Sequence, residues 1–139
     1  MRVLLDTNVI SEIRRPRADA RVVQRVRDLQ PQDTFMSVIT IGELVYGMTR
    51  LPAGKKRREL EAWLIALEQS YASRILPVDS ETARAWGEIA AAVGANARTL
   101  PPQDGLIAAT ALRHGLHLMT RNTKDFEGTG VLLINPWEP

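Results

Sequence analysis

Short apolar runs alternating with helix-length amphipathic segments constrain this chain more than any other feature. The first run, Arg2 to Leu5, stops at a carboxylate, Asp6. Thr34-Phe35-Met36-Ser37-Val38 carries β-branched and aromatic residues between turn formers and predicts a second strand. Ile75-Leu76-Pro77-Val78 predicts a third, held to a sheet edge by its proline. Leu116 to Thr120 and Val131 to Ile134 predict two more strands near the end of the chain.

Helical patterns fill the intervals. One helix is expected from about Val9 until Pro16 breaks it, and another from about Ala18 to Leu29. Thr40-Ile41-Gly42-Glu43 has the T-x-x-E form of a capping box, which predicts a helix opening at Thr40. Leu60, Trp63, Leu64 and Leu67 recur at i, i+3, i+4 and i+7, the stripe of an amphipathic helix. Another helix is expected from Ser80, with Ala83, Trp86, Ile89, Ala90 and Val93 inward, and one more from Gln103 to Arg113, ending at Gly115. Strands separated by helices need parallel crossovers, so the expected class is α/β, with helices on both faces of a mainly parallel central sheet. No repeat, low-complexity tract or long linker divides the 139 residues, and a single domain over 1–139 is expected.

Composition narrows the function classes. The longest apolar runs fall far short of the eighteen or so residues of a membrane span. Asp6 interrupts the N-terminus too early for a signal-peptide core, and there is no cysteine for a disulfide or thiolate metal site. A cytoplasmic location is the expectation. The formal net charge is only +2, yet arginines crowd the stretch from Arg14 to Arg27, and Lys55-Lys56-Arg57-Arg58 forms a second basic cluster. Guanidinium forks match phosphate oxygens, so nucleic acid is a reasonable partner, although solvated helix faces explain such charges equally well.

Polar groups beyond the carboxyl ends of strands are the natural site candidates in an open parallel sheet. Asp6 follows the first strand, Glu43 lies in the first turn of the helix expected after the second, and Asn122 and Asp125 follow the strand ending at Thr120. Asp104 opens the helix that precedes that strand, and joins the others only if that helix end lies at the same edge. Singly, each acid has a plainer role: Asp6 as a cap or in an Asx-turn, Asp104 against a helix dipole, Glu43 in its capping box. Together they suit a hard divalent ion, which takes oxygen ligands and keeps several waters. His114 and His117, the only histidines, are spaced across a glycine break and make a poor zinc site. No phosphate-binding glycine loop, G-x-S-x-G elbow or C-x-x-C is present.

Four segments carry a family resemblance. Leu4-Leu5-Asp6-Thr7-Asn8-Val9 resembles the opening motif of PIN-domain nucleases, and Ser37 to Gly47 resembles their second. Asp104-Gly105-Leu106-Ile107-Ala108-Ala109-Thr110-Ala111 is similar to the third, and Thr120 to Phe126 to the fourth. Their order and spacing extend the resemblance over essentially the whole chain, and it is strongest to the VapC/FitB-type toxins of toxin–antitoxin pairs. The resemblance implies a PIN-like three-layer α/β/α sandwich in which Asp6, Glu43 and Asp104 meet in one acidic pocket. It also implies an Mg²⁺- or Mn²⁺-dependent endoribonuclease acting on RNA, usually homodimeric, inhibited by a small antitoxin through which the complex binds operator DNA. On this reading Asp6 and Asp104 bind the ion, Glu43 binds it through water or positions the attacking water, and Thr7 and Asn122 orient the acids or the substrate. The family often has an acid where Asn122 stands, so either Asn122 or Asp125 completes the site. Dimer or antitoxin contacts are expected around Trp63 and the arginine-rich early helices.

Two other classes fit parts of the pattern. A phosphotransferase using Asp6 as nucleophile would explain the strand-Asp motif, but Asn8 replaces its second acid. A non-catalytic protein- or nucleic-acid-binding module on the same fold would not need three clustered acids.

Overall fold

The computed structural model describes residues 1–139. Five strands, β1 (Val3–Leu5), β2 (Thr34–Ser37), β3 (Ile75–Leu76), β4 (His117–Met119) and β5 (Leu133–Ile134), form one sheet in the order β3-β2-β1-β4-β5. Every pairing is parallel. The chain builds outward from β1 to β3, then returns to the other side of β1. The order therefore reverses between β1 and β4, and beyond their carboxyl ends lies the crevice that such sheets offer to ligands.

Right-handed crossovers place the helices of the outward and return runs on opposite faces. Four helices serve the outward run: α1 (Thr7–Arg14), α2 (Ala20–Arg27), α3 (Val38–Thr49) and α4 (Lys55–Ser70). Val3, Leu5, Met36 and Met119 point to their side and pack with Val9, Ile10 and Val22. The other face belongs to α5 (Ser80–Ala95) and α6 (Pro102–Arg113): Leu4 and Leu118 pack there with Ile107, Ala108, Ala111 and Phe126. The alternation of Val3, Leu4 and Leu5 between these clusters is the period-two signature of a strand buried on both faces. Each such aliphatic side chain, taken fully from water, contributes about 1.5–3 kcal/mol.

Several expected boundaries move. Helix α3 begins at Val38, earlier than the capping box predicts, because the Ser37 hydroxyl at the end of β2 accepts the Ile39 N–H at 3.0 Å. Thr40 is then a fully buried residue inside the helix, and Glu43 lies in its second turn. Helix α2 begins at Ala20, capped by Asp19, whose backbone N–H donates to the buried Glu12 carboxylate at 2.9 Å. In α5 the inward position near the start is Thr82, and Ala83 is exposed. Trp63 is half-buried in the core and carries the Arg14 guanidinium 5.6 Å from its ring centroid. The large apolar residues left exposed include Val38, Val45 and Tyr46 on α3.

The orientation of α6 matters most for the site. A short link, His114 to Leu116, joins its C-terminus to the start of β4. Since β4 runs parallel to β1, the beginning of α6 lies at the carboxyl edge of the sheet. Helix α5 packs antiparallel to it, and Arg113 ties the far end down through Asp79 at 3.1 Å and Glu81 at 2.9 Å.

Candidate active site

Asp6 directly follows β1 and is 6% exposed. One carboxylate oxygen, Oδ1, accepts the Thr7 backbone N–H at 2.8 Å and so caps α1. The other, Oδ2, accepts the Thr120 hydroxyl at 2.8 Å and the Asn8 amide at 3.3 Å. The capping role is therefore real, but it uses one oxygen only. Asn8 also donates to the Thr120 hydroxyl at 3.2 Å and accepts the Arg121 N–H at 3.2 Å, which staples the start of α1 to the segment after β4.

Glu43 reaches the same edge from α3. The Thr7 hydroxyl donates to its Oε1 at 2.7 Å and lies 3.0 Å from the Thr40 hydroxyl. Asp104, in the first turn of α6, is partly buried. Burial, and then the charges of Asp6, Asp125 and Glu43, push its carboxyl up to about 6. Asp6 is raised as well, chiefly by burial and with Glu43 adding, against the lowering effect of its hydrogen bonds to Thr120, Thr7 and Asn8. Acids far apart in sequence thus feel one another at the β1–β4 crevice. Ordinary protein interiors separate or neutralise such groups, and sites with work to do hold them together.

The two residues that could complete the set differ. Asp125, exposed in the 3₁₀ turn Thr123–Phe126, is one of the charges acting on Asp104. Asn122 is exposed, and its backbone N–H donates to the Thr120 hydroxyl at 3.1 Å, while its side chain makes no hydrogen bond to the protein. The histidines lie apart from the acids. His117 pairs with Val3 at the beginning of the strands, and Arg113 contacts the His114 ring at 3.0 Å. His114 is held below its ordinary pKa by burial and by that guanidinium.

Thr120, Asn8 and Thr40 are the residues to which motif reading gave no part in the site. A small hydroxyl residue directly after an apolar strand was the available signal for Thr120, and the alternation of Asp6 and Asn8 for the second. No three acidic or histidine side chains close into a ready-made metal cluster. The donor set is an open one of hard carboxylate oxygens, the kind an ion retaining several waters uses. Two cavities flank it and share Thr7 and Glu43 in their walls. One, of about 800 Å³, runs along α3 past Val38, Gly42 and Tyr46 to Gln103. The other, of about 280 Å³, lies between α1, α3 and α4 and is lined by Ser11, Arg14 and Lys56 as well as apolar residues.

Comparison with known proteins agrees with this architecture. Residues 3–132 match the PIN domain family. The chain is 40% identical to toxin FitB of Neisseria gonorrhoeae, covering 97% of this chain and 98% of that one. It is 36% identical to VapC ribonuclease Y4jK of Sinorhizobium fredii, over 99% of both. It superposes on the crystal structure of FitAcB from Neisseria gonorrhoeae with a TM-score of 0.93 and 38% identity, over 99% of each chain. On the structure of FitAB bound to an IR36 DNA fragment it gives 0.93 and 36%, covering 99% of this chain and 96% of that one.

Proposed function

The chain belongs to the PIN-domain family, and from that membership and the acid cluster we propose that it is a divalent-metal-dependent endoribonuclease, the toxin of a toxin–antitoxin pair. One observation carries the reading. Asp6, Glu43, Asp104 and Asp125 come from separate segments, yet they converge at the β1–β4 switch point, where burial first, and then the charges of Asp6, Asp125 and Glu43, raise Asp104 to about 6. Neither capping nor folding requires that convergence, and it works against the stability of the bare fold.

Asp6 and Asp104 would hold Mg²⁺ or Mn²⁺ directly, with Glu43 acting through water and Asp125 adding charge from the open side. A bound ion would supply Lewis-acid stabilisation of the phosphodiester's developing negative charge and lower the pKa of a water. Thr120 and Asn8 fix Oδ2 of Asp6, which leaves its geometry set before substrate arrives. The Thr7 hydroxyl occupies one lone pair of Glu43 Oε1 and leaves Oε2 without a protein partner, so this carboxylate would take the proton of the attacking water. Asn122, whose side chain is uncommitted within the protein, serves as a substrate-orienting amide.

A small antitoxin is the expected inhibitor, and operator DNA would be reached only through it, as the FitAB–DNA assembly suggests by analogy. The exposed apolar strip of α3, Val38, Val45 and Tyr46, is the face we assign to a homodimer. No helix is long and apolar enough to cross a membrane. The test is RNA cleavage by the wild type, Asp6→Asn and Asp104→Asn, with EDTA and with restored Mg²⁺ or Mn²⁺. The reading requires loss by orders of magnitude in both variants and in EDTA, with metal rescue of the wild type alone. Undiminished cleavage by either variant contradicts it, and light scattering giving a stable monomer at micromolar concentration removes the dimer.

A further inference from the structure

We infer that the cavity between α1, α3 and α4 is a phosphate subsite, in which Arg14 and Lys56 hold the RNA backbone beside the bond cut at the acids. The inference rests on the ribonuclease reading and extends it to the path of the strand. An acidic cleft repels a polyanion, so a nuclease of this design needs cations adjoining the acids and not merely elsewhere on the surface. This cavity supplies them. Its walls include Thr7 and Glu43, which belong to the candidate active site, and then Ser11, Arg14 and Lys56. Thr7, Ser11 and Arg14 fall at i, i+4 and i+7 on α1 and so form one stripe leading away from Asp6, about 10 Å long at the helical rise.

Three features suit these exposed cations to holding a phosphate. Neither Arg14 nor Lys56 is in an ion pair, so the charge of each is available to a phosphate. The Arg14 guanidinium is held over the Trp63 ring at 5.6 Å, which restricts its freedom before any ligand binds and leaves its N–H fork available. Ser11 adds a hydroxyl donor between Arg14 and Thr7. The cavity on the other side of the acids, of about 310 Å³, also holds Arg121 and Lys124, but Asp125 and Glu138 line it too and offset their charge. The α1–α3–α4 cavity has Glu43 as its one carboxylate.

The test measures binding of a fluorescein-labelled single-stranded RNA to the Asp6→Asn chain and to the same chain carrying Arg14→Gln, Arg14→Lys or Lys56→Gln, over a range of salt. Each neutralising change should weaken binding several-fold at low salt and reduce the slope of log K against log salt by about 0.7, the single-strand value for one phosphate contact. Arg14→Lys should keep the slope. Lys56 is exposed and makes no contact that folding requires, so its variant decides the matter even if Arg14→Gln loosens the packing on Trp63. Unchanged affinity and slope in both neutral variants overturn the subsite, as does an Asp6→Asn chain that binds no RNA. If the variants instead lose only their grip on the antitoxin, the cavity is a protein-docking face and the inference also fails. Cleavage by the unaltered chain, measured separately, judges the ribonuclease reading itself.

Discussion

Asp104 is where the site's electrostatics become measurable without substrate. Its carboxyl, ordinarily near 3.8, is pushed up to about 6 by burial and by the neighbouring acids. A folded-state pKa above the unfolded one favours the fold while the group is protonated, and that contribution is lost as pH rises through the folded value. In EDTA, the melting temperature of the wild type relative to Asp104→Asn should therefore fall between about pH 4 and about pH 7. A constant difference across that range would mean that neither burial nor the charges of Asp6, Asp125 and Glu43 raise Asp104. Motif order made Asp6, Glu43 and Asp104 legible as a set. What it could not give was Thr120 and Asn8 closing on Oδ2 of Asp6, because those bonds join positions up to 114 residues apart. Nor could it give the uncommitted side chain of Asn122, which depends on how the chain turns after β4.

At the scale of elements, α6 carries the most consequence, because its first turn presents Asp104. Gly105 lies against Trp86 of α5, and a Cβ there would come within 2.7 Å of the indole Cδ1 and Nε1. The Trp86 N–H is itself buried without a partner, so the ring sits where packing dictates and not where hydrogen bonding would put it. Gly105→Ala should therefore cost roughly 1–3 kcal/mol through overpacking. It should also reduce cleavage about 100-fold if the start of α6 shifts by about 1 Å, since catalytic groups tolerate little misplacement. Adding Trp86→Phe should recover part of both, and a strictly additive double variant would deny the coupling. The direction of α6 was the open question in the sequence. The short link at Gly115 settles it only once β4 is known to run parallel to β1, which no local pattern states. The start of α3 was misjudged for a local reason: Ser37 and Thr40 both suit a cap, and burial of Thr40 leaves the role to Ser37. The alternating apolar and amphipathic segments, by contrast, gave every strand and the class of the fold, since their periods answer directly to burial on one face or two.

Across the whole molecule, a parallel sheet reverses its order beside β1 and gathers there acids whose mutual repulsion a divalent ion would relieve. A set of melting curves on the wild type, Asp6→Asn and Asp104→Asn, in EDTA and in graded Mg²⁺ or Mn²⁺, tests this most directly. Asparagine caps a helix about as well as aspartate, so capping alone predicts little difference among the three at any metal concentration. A shared ion site predicts that the variants melt no lower than the wild type in EDTA, because each removes one mutually repelling charge. It further predicts that metal stabilises the wild type by roughly 2.7 kcal/mol at a hundred times the dissociation constant, and the variants by much less. Equal metal-induced shifts in all three proteins would place the ion elsewhere and contradict the account.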